Sequence, residues 1–173
     1  MKHLATITER EVTGSTALST TPPRIAVNVV LFDADGAIAL NCVGRLRFVT
    51  VPGGGVEAGE DLYRAVAREM WEEAGCECEI LAELGRIDEN RAAMDFTQER
   101  YYYIARVVGA KGELHLTPSE RADNTTLEWR PLEQALQQIQ SRVIDDYRAK
   151  FVQQRDIIAL TAAVAWVRGR AVE

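Results

Sequence analysis

The chain has 173 residues, which is enough for one domain with a sizeable core. Hydrophobic residues make up 47% and charged residues 27% of the sequence, as in an ordinary globular protein. The formal net charge of −6 and the pI near 5.1 provide no basic surface, which excludes a protein that binds long nucleic acids. A single nucleotide held through a metal ion stays compatible with this charge, because the ion supplies the positive charge.

Residues 1–23 are rich in Thr and Ser and end in Pro22-Pro23. This composition predicts an N-terminal extension, with or without a short strand, joined by a stiff turn to a domain that starts at Arg24. The segment lacks the apolar core of a signal peptide, and no run approaches the ~18 apolar residues of a membrane span. The three cysteines form no CxxC pair and are predicted to be reduced thiols. We therefore expect a cytoplasmic protein with no membrane partner.

Three strands are predicted before the centre of the chain. The run Ile25–Phe32 is almost continuously apolar, which is typical of a strand buried on both faces. Asp33–Gly36 forms a turn, after which Ala37–Cys42 is predicted to pair back as a hairpin. A short third strand, Phe48–Val51, runs into a proline and three glycines. Successive glycines allow the backbone to approach a ligand closely.

A helix is predicted over Glu60–Ala74, with an apolar stripe made of Leu62, Ala65, Val66 and Met70. Glu69 and Glu73 lie on the line of this stripe and Glu72 lies beside them, so the stripe becomes acidic near its end. Each neighbouring pair of like charges destabilises a helix by roughly 0.2–0.5 kcal/mol, and a cation would reverse that sign. Carboxylates without His or Cys favour Mg²⁺ or Mn²⁺ over Zn²⁺. The alternative is a solvated acidic face.

The remainder of the chain reads as mixed α/β structure. After the helix we predict a strand with a bend (Cys78–Asp88), a polar loop (Glu89–Thr97) and a strong strand (Glu99–Val108). These are followed by a turn-rich segment (Gly109–Asn124), a short strand (Leu127–Trp129) and two helices (Leu132–Ile139 and Val143–Val167). Pro131 is expected to open the first of these helices. In the strong strand, Tyr101 and Tyr103 share one face and Tyr102 lies on the other. Tyr101 is a candidate for stacking on a base, with core packing as the alternative.

The stretch Gly54 to Cys76 resembles the Nudix box, G-x5-E-x7-R-E-U-x-E-E-x-G-U, where U is a bulky aliphatic residue. The matching positions are Gly54, Glu60, Arg68, Glu69, Met70, Glu72, Glu73, Gly75 and Cys76. Cys76 departs from the usual aliphatic residue, but cysteine also behaves as a small buried hydrophobe. The resemblance implies an α/β fold, namely a Nudix-type α/β/α sandwich with a mixed β-sheet. It divides the chain into an extension (1–23), a Nudix domain (24–140) and a C-terminal helix (141–173), which packs on the domain or in a homodimer interface.

The resemblance also implies an activity: metal-dependent hydrolysis of a diphosphate linkage in a nucleoside diphosphate derivative. Glu69, Glu72 and Glu73 would hold Mg²⁺ or Mn²⁺, and the carbonyl of Gly53 or of Gly54 would complete the shell. Arg68 would pair with Glu60 to hold the loop against the helix.

Several assignments stay open at this stage. The base that activates water is Glu69 or, as in some family members, a carboxylate on a later loop, here Glu99, Glu113 or Glu120. Weaker candidates for substrate binding are Gly54, Gly55, Arg47 and Tyr101. The substrate is a nucleotide sugar, a nucleoside triphosphate or a dinucleotide. The alternative function is a nucleotide-sensing or protein-interaction module without catalysis.

Overall fold

A mixed seven-stranded sheet forms the centre of the molecule. The computed structural model describes residues 1–45 and 47–170. The strands are β1 (His3–Ile7), β2 (Arg24–Phe32), β3 (Ala37–Val43), β4 (Phe48–Thr50), β5 (Glu77–Arg91), β6 (Phe96–Val108) and β7 (Thr125–Pro131). The helices are α1 (Glu9–Val12), α2 (Leu62–Ala74), α3 (Pro118–Ala122), α4 (Leu132–Ser141) and α5 (Tyr147–Arg170), with a 3₁₀ turn at Ala92–Met94.

The strand order is β1-β5-β6-β2-β3-β4, and β7 pairs with β3. The pairs β1/β5 and β2/β6 are parallel, whereas β5/β6, β2/β3, β3/β4 and β3/β7 are antiparallel. Strands β2 and β6 are joined in parallel over the whole length of β2, from Arg24 beside Gln98 to Phe32 beside Arg106. The start of β2 also lies next to the loop that precedes α2, where Ala26 forms a bridge with Gly55.

Helices cover both faces of the sheet. Alternate side chains of a strand point to opposite faces, and β2 shows this: Val27 and Val29 pack in the cluster that contains α2, whereas Val30 packs in the cluster that contains α4 and α5. Likewise Tyr101 and Tyr103 face the α2 side and Tyr102 faces the α5 side, as predicted. The predicted α/β/α sandwich with a mixed sheet is confirmed.

Helix α2 begins two residues later than predicted. Asp61 caps it, because its side chain accepts a hydrogen bond from the Arg64 N–H at 2.8 Å. Gly75 ends it in the left-handed conformation, as expected of a C-cap glycine. Three residues of the predicted apolar stripe, Ala65, Val66 and Met70, are buried, whereas Leu62 is partly buried. Each fully buried side chain such as Val66 or Met70 contributes about 1.5–3 kcal/mol.

The predicted polar loop over Glu89–Thr97 is wrong. Strand β5 continues to Arg91 and β6 begins at Phe96, so that only a single 3₁₀ turn separates them. The segment looks polar because charged side chains lie inside the protein, where they neutralise one another; Glu89 is only 2% exposed. Buried polar side chains hide the hydrophobic alternation by which a strand is recognised.

Other boundaries differ by smaller amounts. Pro131 is the N-cap of α4 rather than its first residue. Helix α5 begins at Tyr147 instead of Val143, and the Asp146 side chain accepts a hydrogen bond from the Ala149 N–H at 2.8 Å. The short helix α3 lies inside the segment predicted as turn-rich, Gly109–Asn124.

Both ends of the described chain contact the sheet. Strand β1 extends the sheet along β5, and α1 follows it directly. Helix α5 packs on the sheet, with Phe151, Leu160 and Ala163 fully buried in the same core cluster as Tyr102. Among residues 1–45 and 47–170, no helix is long and apolar enough to cross a membrane.

Candidate active site

The glycine loop before α2 is held along β2 as though it were another strand. The Val29 N–H donates to the Pro52 carbonyl at 2.9 Å, and the Val27 N–H donates to the Gly54 carbonyl at 2.9 Å. No hydrogen bond from the described part of the chain reaches the carbonyl of Gly53. Of the two carbonyls considered for a metal shell, the one on Gly53 is therefore the one left available.

Gly54 lies directly against the carboxylate of Glu69. A Cβ atom at position 54 would overlap both carboxylate oxygens and the carbon between them. The close approach therefore requires glycine, and it fixes the distance between the loop and the helix. The loop backbone and the Glu69 side chain consequently form one continuous surface.

Arg68 is the residue that ties loop and helix together. Its Nε and Nη2 donate to the two oxygens of Glu60 at 3.0 and 2.9 Å, and Nη2 also donates to the Gly55 carbonyl at 2.8 Å. Its Nη1 donates to Glu69 at 2.7 Å and to Glu72 at 3.1 Å. The planar guanidinium thus satisfies a carboxylate in bidentate fashion while neutralising two more. The structure has the predicted contact between Glu60 and Arg68.

The three glutamates of α2 occupy different environments. Glu72 is partly exposed, whereas Glu69 and Glu73 are each only 5% exposed. Burial raises the pKa of Glu73 to about 8, although its carboxylate accepts a hydrogen bond from the Gly53 N–H at 2.6 Å. Burial also raises the pKa of Glu69, and the Arg68 guanidinium opposes this shift. The chain thus keeps two carboxylates in a place that penalises their charge.

A fourth carboxylate approaches from α3. Glu120 lines the same cleft as Glu69 and Glu72, and its negative charge contributes to the raised pKa values of Glu69 and Glu73. Its position is fixed by a capping box, in which the Glu120 side chain accepts from the Thr117 N–H at 2.7 Å. The cleft has a volume of about 300 Å³ and is lined by Arg24, Gly54, Gly55, Val56, Glu57, Arg68, Glu69, Glu72, Thr117 and Glu120.

The other two candidates for a base on a later loop lie elsewhere. Glu99 is in β6, where it accepts a hydrogen bond from the Tyr101 hydroxyl at 2.8 Å and pairs with Arg86. Glu113 approaches Gly75 through its backbone carbonyl, at the far end of α2. Neither side chain lines the cleft in the described part of the protein.

Two weaker candidates for substrate binding are also separate from this cleft. Tyr101 packs in the core cluster on the α2 side and bonds Glu99, so its ring is occupied by packing. Arg47 lines a different hollow together with residues 143–146. Within residues 1–45 and 47–170, the cleft contains Gly54 and Gly55 but neither of these side chains.

The sequence analysis missed Arg24 as a cleft residue. It is the first residue of β2, and its guanidinium lies so close to Gly55 that a Cβ atom there would overlap it. The sequence does not indicate this role, because the position of Arg24 beside the glycine turn becomes apparent only when the pairing between β2 and the loop is known. The structure thus adds a second cationic side chain, besides Arg68, to the lining of the cleft.

The cleft offers the kind of donor that a hard divalent cation prefers, because the carboxylates of Glu69, Glu72 and Glu120 line it. In the part of the chain that the structure describes, however, no group of three His, Cys, Asp or Glu side chains is placed to hold a metal ion. Arg68 lies between Glu69 and Glu72. Such an incomplete set fits Mg²⁺, which is usually held by one or two carboxylates together with substrate phosphates.

The residues that line the cleft lie within the part of the chain that matches known proteins. The family model described as NUDIX domain matches residues 22–152. The chain is similar in structure to a NUDIX hydrolase from Nitrosomonas europaea, with 19% identity, a TM-score of 0.59, and coverage of 86% of this chain and 90% of that chain. It is also similar to the MutT protein from Methanosarcina mazei Go1, with 19% identity, a TM-score of 0.55, and coverage of 79% and 94% respectively. The Ap4A hydrolase of C. elegans matches with 18% identity and a TM-score of 0.55, over 84% of this chain and 99% of that one.

Proposed function

Because the chain belongs to the Nudix family and is therefore a pyrophosphohydrolase, we propose that it uses Mg²⁺ or Mn²⁺ to hydrolyse a diphosphate linkage in a nucleoside diphosphate derivative. The observation that carries this proposal is the pair of buried glutamates, Glu69 and Glu73, with raised pKa values beside the glycine loop. Nucleotide sugars, nucleoside triphosphates and dinucleotides remain the candidate substrates.

The cation follows from the electrostatics of the cleft. Burial disfavours the charged forms of Glu69 and Glu73, and the Arg68 guanidinium offsets this only in part at Glu69. Glu69, Glu72 and the Gly53 carbonyl would hold the cation. Glu73 lies behind these ligands, where its carboxylate accepts a hydrogen bond from the Gly53 N–H. A bound divalent ion neutralises phosphate oxygens and lowers the pKa of bound water.

Glu69 has a second task besides holding the cation. Glu69 accepts the proton from the attacking water, because burial has raised its proton affinity toward the range that suits a general base. Arg68 holds Glu69 and the loop in register through its five hydrogen bonds. Arg24 binds phosphate oxygens at the mouth. Glu120 is the alternative base, since it reaches the same cleft from a different element.

Direct attack by water is the route that the residues favour. The described lining of the cleft contains no Ser, Cys or His, and the Thr117 hydroxyl already accepts the Glu120 N–H as a helix cap. A covalent phospho-enzyme therefore lacks a nucleophile. The products would be a nucleoside monophosphate and the remaining phosphorylated group.

A cytoplasmic location is part of this proposal. Cys42, Cys76 and Cys78 are all free thiols, and free thiols are typical of a reducing compartment. The partners are small nucleotides, and homodimerisation stays an open alternative.

The test is a panel of nucleoside triphosphates, nucleotide sugars, ADP-ribose and dinucleoside polyphosphates, assayed with millimolar Mg²⁺ and with excess EDTA. We expect turnover of at least one substrate with Mg²⁺ and none with EDTA. Glu69→Gln should lower kcat by about 10²- to 10⁴-fold, the usual worth of a general base. The control is Glu79→Gln, an exposed glutamate paired with Arg106 on β6. Undiminished turnover in EDTA would contradict metal dependence, and a nucleotide that binds without turnover would favour the sensing module.

A further inference from the structure

A second cavity, rich in arginine, adjoins the cleft on the α5 side of the sheet. It has a volume of about 380 Å³, and we call it the arginine cavity. Its lining is Arg24, Phe48, Thr50, Arg91, Met94, Phe96, Gln98, Arg100, Arg148, Val152 and Arg155. A volume of this size accommodates a small-molecule group. No acidic side chain belongs to its described lining.

The register of the sheet builds this cavity. Arg24 on β2 lies beside Gln98 on β6, and Gln98 lies beside Glu89 on β5. Two residues further along β6, Arg100 lies on the same face as Gln98, because strand side chains repeat every two residues. Helix α5 closes the other side with Arg155. These side chains therefore form a row of charged and polar groups at the point where the hydrophobic core of that face ends.

The buried acids do not balance the arginines. Arg91, Arg100 and Arg155 all approach the fully buried Glu89, at 2.5, 3.3 and 3.4 Å. Glu89 stays charged: burial alone would raise its pKa, but the three guanidiniums outweigh burial and hold the pKa near 2.

The surrounding groups leave an excess of positive charge. Asp156 partners Arg155 at 3.2 Å. Two further lining arginines, Arg24 and Arg148, are exposed and form no salt bridge with any described residue. The cavity is thus lined by five arginines, three of which contact the two buried carboxylates, and burial together with repulsion from Arg155 lowers the pKa of Arg100 to about 10.

An unpaired donor also lies in the wall of the cavity. Gln98 is 2% exposed, and its Oε1 accepts from the Arg100 Nε at 2.8 Å. Its Nε2 has no hydrogen-bond partner among the described residues. A buried amide donor without a partner costs about 1–3 kcal/mol, and an acceptor on a bound ligand would remove that cost.

The arginine cavity is joined to the active-site cleft through one side chain. Arg24 lines both spaces and lies against Gly55, where a Cβ atom would overlap its guanidinium. The two spaces therefore share Arg24 as a wall residue, so that a molecule long enough to reach past Arg24 would contact both. Asn28 supports this wall, because it accepts from Arg100 and donates to the Val51 carbonyl at 3.0 Å.

We propose that the arginine cavity binds a second anionic group, a phosphate or a carboxylate, located on the substrate beyond the diphosphate that is hydrolysed. This inference rests on the proposed function and narrows its substrate class. The preferred substrate is a diphosphate whose far end carries its own negative charge, rather than one that ends in a neutral sugar or base. Arg148 and Arg24 supply the unneutralised guanidiniums, and the Gln98 amide donates to the anion.

Matched substrate pairs test the proposal. NADPH and coenzyme A are each compared with the same molecule lacking the additional phosphate, and UDP-glucuronate is compared with UDP-glucose as the carboxylate pair. We expect the anionic member of at least one pair to be preferred by about 10-fold or more in kcat/KM, as for a hydrogen bond to a charged group. Arg148→Gln should remove most of that preference. Arg168→Gln, an exposed arginine on the same helix, should leave the preference unchanged.

Binding without catalysis separates this inference from the proposed function. In EDTA, isothermal calorimetry compares ribose 5-phosphate with ribose, and glucuronate with glucose. The protein should bind at least one charged sugar in the millimolar range and neither neutral sugar, and Arg148→Gln should weaken binding about 10-fold. Gln98→Glu should abolish this binding and raise Tm, because it places an anion among the arginines. The inference is overturned if neither charged sugar binds the protein, or if the charged sugars bind the Arg148→Gln variant as tightly as the wild type. Either result counts against it even if diphosphates are hydrolysed. Binding without hydrolysis of any diphosphate would leave the cavity assignment standing and refute the proposed function.

Discussion

Replacing Glu73 by glutamine should stabilise the metal-free protein, and the gain should depend on pH. In the folded protein, burial raises the pKa of Glu73 from 4.5 to about 8. Between these pH values the folded state holds a proton that the unfolded state has released. Stability therefore falls as pH rises through this window, and the full penalty is present above the folded pKa. Since each tenfold change in proton affinity is worth about 1.4 kcal/mol, the penalty is on the order of 3 to 5 kcal/mol.

Glutamine has the same shape, accepts the Gly53 N–H equally well and carries no charge. In EDTA at pH 8.5, Glu73→Gln should therefore melt on the order of 10 °C above the wild type, given about 2–4 °C per kcal/mol for a chain of this length. Near pH 4.5 the two proteins should melt together. Scanning calorimetry between these values measures the difference, with the exposed Glu79→Gln as the control. A variant less stable than the wild type at pH 8.5, or a difference that does not change with pH, would refute this electrostatic reasoning.

Three further predictions concern individual contacts. Arg68→Lys retains the charge but cannot donate two hydrogen bonds to Glu60 at once, so kcat/KM should fall about 10-fold or more. Wild-type kinetics in this variant would show that the paired hydrogen bonds to Glu60 are dispensable. Gly54→Ala introduces a Cβ into the Glu69 carboxylate, and we expect a loss of about 1–3 kcal/mol in urea denaturation together with a reduced kcat. If Glu69 is the base, the acidic limb of the pH profile of kcat should disappear in Glu69→Gln and persist in Glu120→Gln; the reverse pattern would assign the base to α3.

The sequence analysis succeeded where packing and periodicity agree. Val66 and Met70 follow the helical period and are buried as predicted, and Glu69 and Glu73 lie on the same line. The acidic end of the stripe was therefore predictable from α2 alone. The contact between Arg68 and Glu60 was inferred from the motif, because eight residues separate the two and only a folded-back loop joins them.

The arginine cavity illustrates what sequence patterns leave out. Glu89 and Arg91 were assigned to a polar loop, yet their spacing of two is that of a strand with charged residues facing inward. The same spacing relates Gln98 and Arg100 on β6. Such a pattern becomes interpretable only when β2, β5 and β6 are in register and α5 covers them, since each charge is tolerated through a partner from another element.

Small segments depend on tertiary contacts in the same way. Strand β1 is short and lies at the edge of the sheet, where pairing with β5 rather than its own composition defines it. Helix α3 has only five residues and is defined by its capping box. Neither has the length that makes a periodic pattern reliable.

The most direct test of the account is a single turnover in ¹⁸O-labelled water with the best substrate of the panel. Direct attack by water at one phosphorus predicts one labelled oxygen on one product phosphate, and the same labelled product formed about 10²- to 10⁴-fold more slowly when Glu69→Gln is used in place of the wild type. Label absent from both products of the wild-type reaction, or a phosphorylated form of the protein, would contradict hydrolysis by water activated at this cleft.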